Sequence, residues 1–164
     1  MLHGSLIGQV TSAPQVLTSP GGLVFSLDVG DSVLDVLVTH ELANKARRQV
    51  VPECHVFVQV GHVHGGLLVA SAFDLVMPGT PSLNMFNVSG RVSGWPEERQ
   101  GELRVRLSVE AADLPSTLAL TAPQHLPWLG SLQLEHGVQV IGKLRHVDGT
   151  LVIAATRVER LLST

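Results

Sequence analysis

Two stretches decide the reading: HVFVQVGHVHGGLLVAS at His55–Ser71 and QVIGKLRHVDGTLVIAA at Gln139–Ala155, identical at six of seventeen positions at an offset of 84 residues. Each alternates apolar and polar residues, breaks at a glycine turn (His64-Gly65-Gly66 or Asp148-Gly149) and resumes, which is the pattern of a β-hairpin. The likeness extends upstream. LIGQV at Leu6–Val10 resembles VSGRV at Val88–Val92, and LVFSLDV at Leu23–Val29 resembles LRVRLSV at Leu103–Val109. Three segments recur in one order, so the chain reads as two copies of one module.

Period-two alternation and turn chemistry parse each copy. The second copy predicts strands at Val88–Ser93, Leu103–Val109 and Ser116–Thr121. A proline-broken stretch, Ala122–Leu134, then allows only a short helix, and a hairpin over Val138–Val147 and Thr150–Val158 follows. The first copy predicts Ser5–Thr11, Leu23–Val29 and Val33–His40, a charged helix near Glu41–Val50, then Val56–Val63 and Leu67–Leu75. Gly30-Asp31 reads as a hairpin turn. Five short strands with a helix or loop between the third and fourth is the order of the OB-fold. Gly8 and Gly90, each inside a first strand, suit a bend that lets one strand serve two sheets. The expected fold class is all-β, two tandem OB-fold barrels over 1–78 and 83–164, joined by the breaker-rich Met77–Ser82.

Composition bounds the function. The 164 residues are 45% hydrophobic and 15% charged, which argues against disorder and for strands with covered faces. No apolar run reaches the roughly 18 residues of a membrane span, and Met1-Leu2-His3-Gly4 lacks a secretory start, so a cytoplasmic protein without membrane partners is expected. Cys54 is alone, and His62 with His64 lacks a third ligand at useful spacing, so no metal and no cofactor are expected. No phosphate-cradling loop, nucleophile elbow or paired carboxylates mark an enzyme. The net charge of −3 is not that of a general polyanion binder, yet it is unevenly spread. Residues 1–80 hold three bases and six acids, whereas residues 81–164 hold eight of each.

With apolar residues facing the core, the second copy turns Arg91, Arg104, Arg106, Gln139, Lys143 and Arg145 outward. Five bases on one curved face would make a phosphate track, with Arg99 nearby in the loop before the second strand. The plain alternative is a solvated face in which Glu102 and Glu110 pair with Arg104 and Arg106. Trp95, beside Pro96, is placed where a base can stack. Trp128 can stack or plug the barrel end. The first copy turns out Gln9, Val24, Ser26, Asp28, His55, Phe57 and Gln59, nearly uncharged and partly apolar, with Val24 and Phe57 as candidate interface residues. Phe25, Phe73 and Phe86 are assigned to packing.

The second copy resembles bacterial single-stranded DNA-binding proteins in V-S-G-R-V at Val88–Val92 with Pro96 and Glu97, in R-L-S-V at Arg106–Val109, in H-G-V-Q-V-I-G-K-L-R at His136–Arg145 and in A-T-R-V-E-R-L at Ala155–Leu161. The first copy is fainter, with I-G-Q-V at Ile7–Val10 and Pro14. Two modules in one chain resemble the tandem branch of that family, in which two chains assemble four folds around single-stranded DNA. The resemblance implies OB-folds, single-stranded DNA as partner, a homodimer, and a place in DNA repair, recombination or replication beside other proteins of those processes. Departures point to a reduced paralogue. The second strand carries Arg104, Arg106 and Ser108 without an aromatic, the fourth-to-fifth loop is only Asp148-Gly149, and no acidic tail follows Leu161-Leu162-Ser163-Thr164. The competing expectation is an OB-type protein-interaction module, an accessory subunit with little DNA affinity of its own.

Overall fold

β1 (Leu2–Val10) changes partner near its end, where Gly8 stands. From Gly4 to Gln9 it runs antiparallel to β5 (His55–His64), and at Gln9 and Val10 it pairs with β3 (Gly22–Asp28). A Cβ on Gly8 would lie 2.1 Å from the Asp28 carbonyl oxygen, so only glycine permits this approach of two backbones. The same device recurs in β7 (Leu83–Val92), which pairs with β11 (Gly137–Val147) from Phe86 to Arg91 and with β9 (Glu102–Glu110) at Arg91 and Val92. There a Cβ on Gly90 would stand 2.6 Å from the Ser108 carbonyl oxygen.

The computed structural model describes residues 1–19, 21–110, 115–122 and 127–162. The chain divides into two units, His3–Asn84, and Met85–Thr164 together with Met1–Leu2. In the N-terminal unit β3 continues antiparallel into β4 (Val33–Val38), which lies parallel to β6 (Leu67–Val76). β6 returns through the hairpin to β5, and β5 to β1, closing a five-strand barrel of OB type. Leu6, Phe25, Leu27, Val36, Val58 and Phe73 fill it, each at most 1% exposed. Helix α1 (His40–Gln49) sits between the third and fourth barrel strands and buries Ala43 and Ala46 against β3, β4 and β6. In the C-terminal unit β9 pairs with β10 (Pro115–Ala122), β10 lies parallel to β12 (Thr150–Arg160), β12 pairs with β11, and β11 returns to β7. A 3-10 helix at Pro127–Ser131 occupies the place of α1, with Leu129 buried and the helix packed against β9.

Several expected boundaries shift. β1 starts at Leu2 rather than Ser5, and β7 at Leu83 rather than Val88. Phe86 thereby lies inside β7, and it and Phe73 in β6 are fully buried, in keeping with their assignment to packing. The extra residues lengthen each strand ahead of its bend, and of them Gly4 pairs with β5 and Phe86 and Asn87 with β11. Two short strands went unpredicted, β2 (Gln15–Leu17) on β3 and β8 (Glu97–Arg99) on β9. Three residues are too few for a period to show. The constant offset of 84 also fails at the hairpins. His64 pairs with Leu67 and Val147 with Thr150, so Gly66, not Gly65, corresponds to Gly149. Register shifts around Val60 in one copy and at Ile141/Gly142 in the other displace the match. Gly30-Asp31 is a turn as expected, with Val29 N–H donating to the Ser32 carbonyl at 2.9 Å and Gly30 N–H to Asp28 Oδ1 at 2.9 Å. Met77-Pro78-Gly79-Thr80 forms a turn in which Gly79 takes φ +86° and Thr80 N–H donates to the Met77 carbonyl. Among the described residues no helix is long and apolar enough to cross a membrane.

Candidate nucleic-acid interface

Alternation along β9 buries Val105, Leu107 and Val109 and turns Arg104 and Arg106 to the opposite face. Two hairpins rise beside that face. Gln100 and Gly101, at φ 53° and 77°, close a tight turn between β8 and β9 that places Arg99 opposite Glu102 and Glu97 opposite Arg104. Asp148 and Gly149, at φ 51° and 75°, close the β11–β12 turn. Between them runs a groove of about 420 Å³ with Val105, Ala119 and Val152 in its lining. Arg99, Arg104, Arg106, Glu97, Asp148 and Trp95 supply its charged and aromatic groups. Its volume is at the lower end of small-ligand pockets. Trp95 is 64% exposed, which leaves a ring available to stack on a ligand. Gly94 eases the loop's approach, because a Cβ there would sit a tight 3.1 Å from that of Arg106.

The basic residues of this unit divide by whether a neighbour holds them. Arg145 Nη2 donates to Glu102 at 3.1 and 3.4 Å, both side chains being 39% exposed. Arg91 faces Glu135 at 3.8 Å, Arg157 is bound to Glu159, Arg160 contacts His136 Nε2 at 2.9 Å, and Lys143 also has a partner. Arg99, Arg104 and Arg106 have no ion pair or side-chain hydrogen bond among the described residues, and all three line the groove. Arg104 further holds its Nε–H buried without an acceptor, as does Arg145. An unpaired buried donor costs about 1–3 kcal/mol, so the site gains when an acceptor arrives.

Of the eight residues expected to bind DNA, the groove gathers Trp95, Arg99, Arg104 and Arg106. Arg145 is opposite the groove residue Val152 in register, but Glu102 holds its guanidinium. Glu102 therefore neutralises a base as the plain alternative anticipated, though the base is Arg145 rather than Arg104. Lys143 is exposed on β11 outside the groove, and Arg91 is exposed at the end of β7, opposite Gly137 and Ser108. Trp128 belongs to the 3-10 helix, and its side chain lies outside the described residues. Glu97 and Asp148 were not anticipated. Asp148-Gly149 reads locally as a turn, and nothing in that dipeptide says what the turn faces.

In the N-terminal unit the corresponding face is different. Val24 and Ser26 stand where β9 has Arg104 and Arg106, and Ser26 Oγ donates to Asp35 Oδ1 at 2.7 Å. Val24 and Phe57 are both half-buried and outward, yet they share no register partner. Val24 lies between Gln15 and Leu37, and Phe57 between Ile7 and Asp74.

No family model matches the sequence, and no curated protein matches it. Solved structures do. A deletion variant of the single-stranded DNA binding protein from Thermus aquaticus aligns over 100% of this chain and 96% of its own, with a TM-score of 0.80 and 20% identity. The wild-type Thermus aquaticus protein aligns over 100% of this chain and 94% of its own, with a TM-score of 0.78 and 20% identity. At that identity the likeness is one of fold, and it covers every part of the chain.

Proposed function

We propose that this chain binds single-stranded DNA with little regard to sequence, through the groove of its C-terminal unit, in DNA repair, recombination or replication. The observation that carries the reading is the division of bases within the C-terminal unit: its three guanidinium groups without a partner among the described residues are the ones that converge on the groove, beside an exposed tryptophan. Guanidinium groups neutralise phosphates, and an aromatic face accepts any base, so together they hold a strand without reading it. The likeness in fold to a single-stranded DNA binding protein supports this assignment. The proposal is for binding alone, with no bond made or broken and no cofactor. It also takes the chain as two tandem OB-folds over 1–78 and 83–164, acting in the cytoplasm as a homodimer.

The test is a titration of intrinsic tryptophan fluorescence with oligo-dT and with a matched duplex. Quenching by the single strand that weakens as salt rises supports the proposal. A flat signal together with an unshifted oligonucleotide in a gel would refute it. A second reading, an OB-type protein-interaction module, draws on the N-terminal unit, where Ile7 and Phe57 are opposite each other on an outward, half-buried stretch bordered by Asp74. It predicts a complex that survives nuclease treatment.

A further inference from the structure

Two carboxylates in a site built for a polyanion need a reason. Glu97 and Asp148 line the same groove as Arg99, Arg104 and Arg106, and neither makes an ion pair or side-chain hydrogen bond among the described residues. Glu97 is directly opposite Arg104 on the adjacent strand, and Asp148 rises from the tip of the facing hairpin. Each would repel a phosphate. Neither is needed to neutralise the neighbouring cations, because those cations are the ones left unpaired.

We propose that Glu97 and Asp148 read the edge of the one nucleobase seated in this groove, favouring bases with an exocyclic amino group over thymine. The inference rests on the nucleic-acid reading above and adds a preference at a single position. The chemistry follows from donor and acceptor patterns. A carboxylate accepts hydrogen bonds only, and a guanidinium donates only. Cytosine offers an amino donor beside two acceptors, so a carboxylate and an arginine together satisfy its edge. Guanine offers the converse order, with one acceptor for arginine and two adjacent donors for a carboxylate. Thymine presents carbonyl oxygens on both sides of its only ring N–H, and a carboxylate placed there meets a like partial charge. Arg104 contributes an orphaned Nε–H fixed in the groove wall, a donor that a base acceptor or a phosphate oxygen can satisfy. Trp95 stacks whichever base enters, so the strand as a whole stays sequence-tolerant while the groove position is selective.

The experiment compares oligo-dC with oligo-dT at neutral pH, each about 12 nucleotides long, within the span that one OB-fold covers. The proteins are the full chain and its Glu97→Gln/Asp148→Asn variant. Both residues are exposed, and asparagine tolerates the positive φ at position 148, so the variant keeps the fold. The wild type should bind oligo-dC roughly 10-fold more tightly than oligo-dT, the range of one good base-edge contact pair. In the variant that ratio should fall to within about twofold, with oligo-dT binding more tightly than before because two repulsive charges are gone. Equal affinity of the wild type for both oligonucleotides, or a ratio unchanged in the variant, overturns base reading while leaving single-strand binding standing. Failure of the wild type to bind either oligonucleotide overturns both.

Discussion

Replacing Arg99, Arg104 and Arg106 together with glutamine tests the groove most directly, because these three guanidinium groups have no partner to lose among the described residues. Each phosphate neutralised on a single strand contributes about −0.7 to the slope of log affinity against log salt. Three contacts give a slope near −2, so wild-type affinity should drop roughly 20-fold between about 50 and 200 mM salt. The triple variant should bind weakly at the low salt and show a slope close to zero. The control is Arg91→Gln with Arg157→Gln, two exposed bases already held by Glu135 and Glu159. Exposed pairs of that kind are worth about 0–1 kcal/mol, so Arg91 can swing to a phosphate at small cost and the control slope should change by less than about one contact. The assay is fluorescence anisotropy of a labelled oligo-dT across a salt series, with thermal unfolding run beside it to confirm the fold. A triple variant that keeps both affinity and slope would refute the groove as the phosphate site.

Trp95→Ala should remove most of the fluorescence quenching and weaken binding by about 1–3 kcal/mol, and Trp95→Phe should recover most of that affinity; unchanged binding by the alanine variant would remove the stacking role. Gly8→Ala forces a Cβ to 2.1 Å from the Asp28 carbonyl, and Gly90→Ala to 2.6 Å from that of Ser108, so urea unfolding should show a loss of order 3 kcal/mol for the first and a smaller loss for the second. A Gly8→Ala protein as stable as wild type would mean that β1 does not bend there. Sedimentation should give twice the 17.5 kDa chain mass at micromolar concentration, and a species of single-chain mass throughout would rule out the homodimer.

The longer strands were legible because burial leaves a period-two trace wherever a strand has one covered face. β3, with Leu23, Phe25 and Leu27 buried and Val24 and Ser26 not, follows its sequence pattern residue by residue. The turns at Gly30-Asp31 and at Asp148-Gly149 were legible for a different reason, since positive φ admits few residues other than glycine, asparagine and aspartate. β2 and β8 left no trace. Gln100-Gly101 marks the β8–β9 turn only to an eye that already expects a hairpin.

Residue type and outward phase together picked out Arg104, Arg106, Arg145 and Lys143 alike, because alternation reports which face a side chain occupies and nothing about its neighbours. Sequence by itself determined the all-β class, the core, the bends at Gly8 and Gly90, and the electrostatic difference between the halves. These are local or periodic properties, written at fixed spacings along the chain. Tertiary structure alone decided that Glu102 holds Arg145 and that Arg99 joins Arg104 and Arg106 in one groove. It also decided that Glu97 and Asp148 stand across that groove on two hairpins. Glu97 and Asp148 are 51 residues apart in the sequence. No period connects such positions, and only the closing of the sheet sets the distance at which two charges meet.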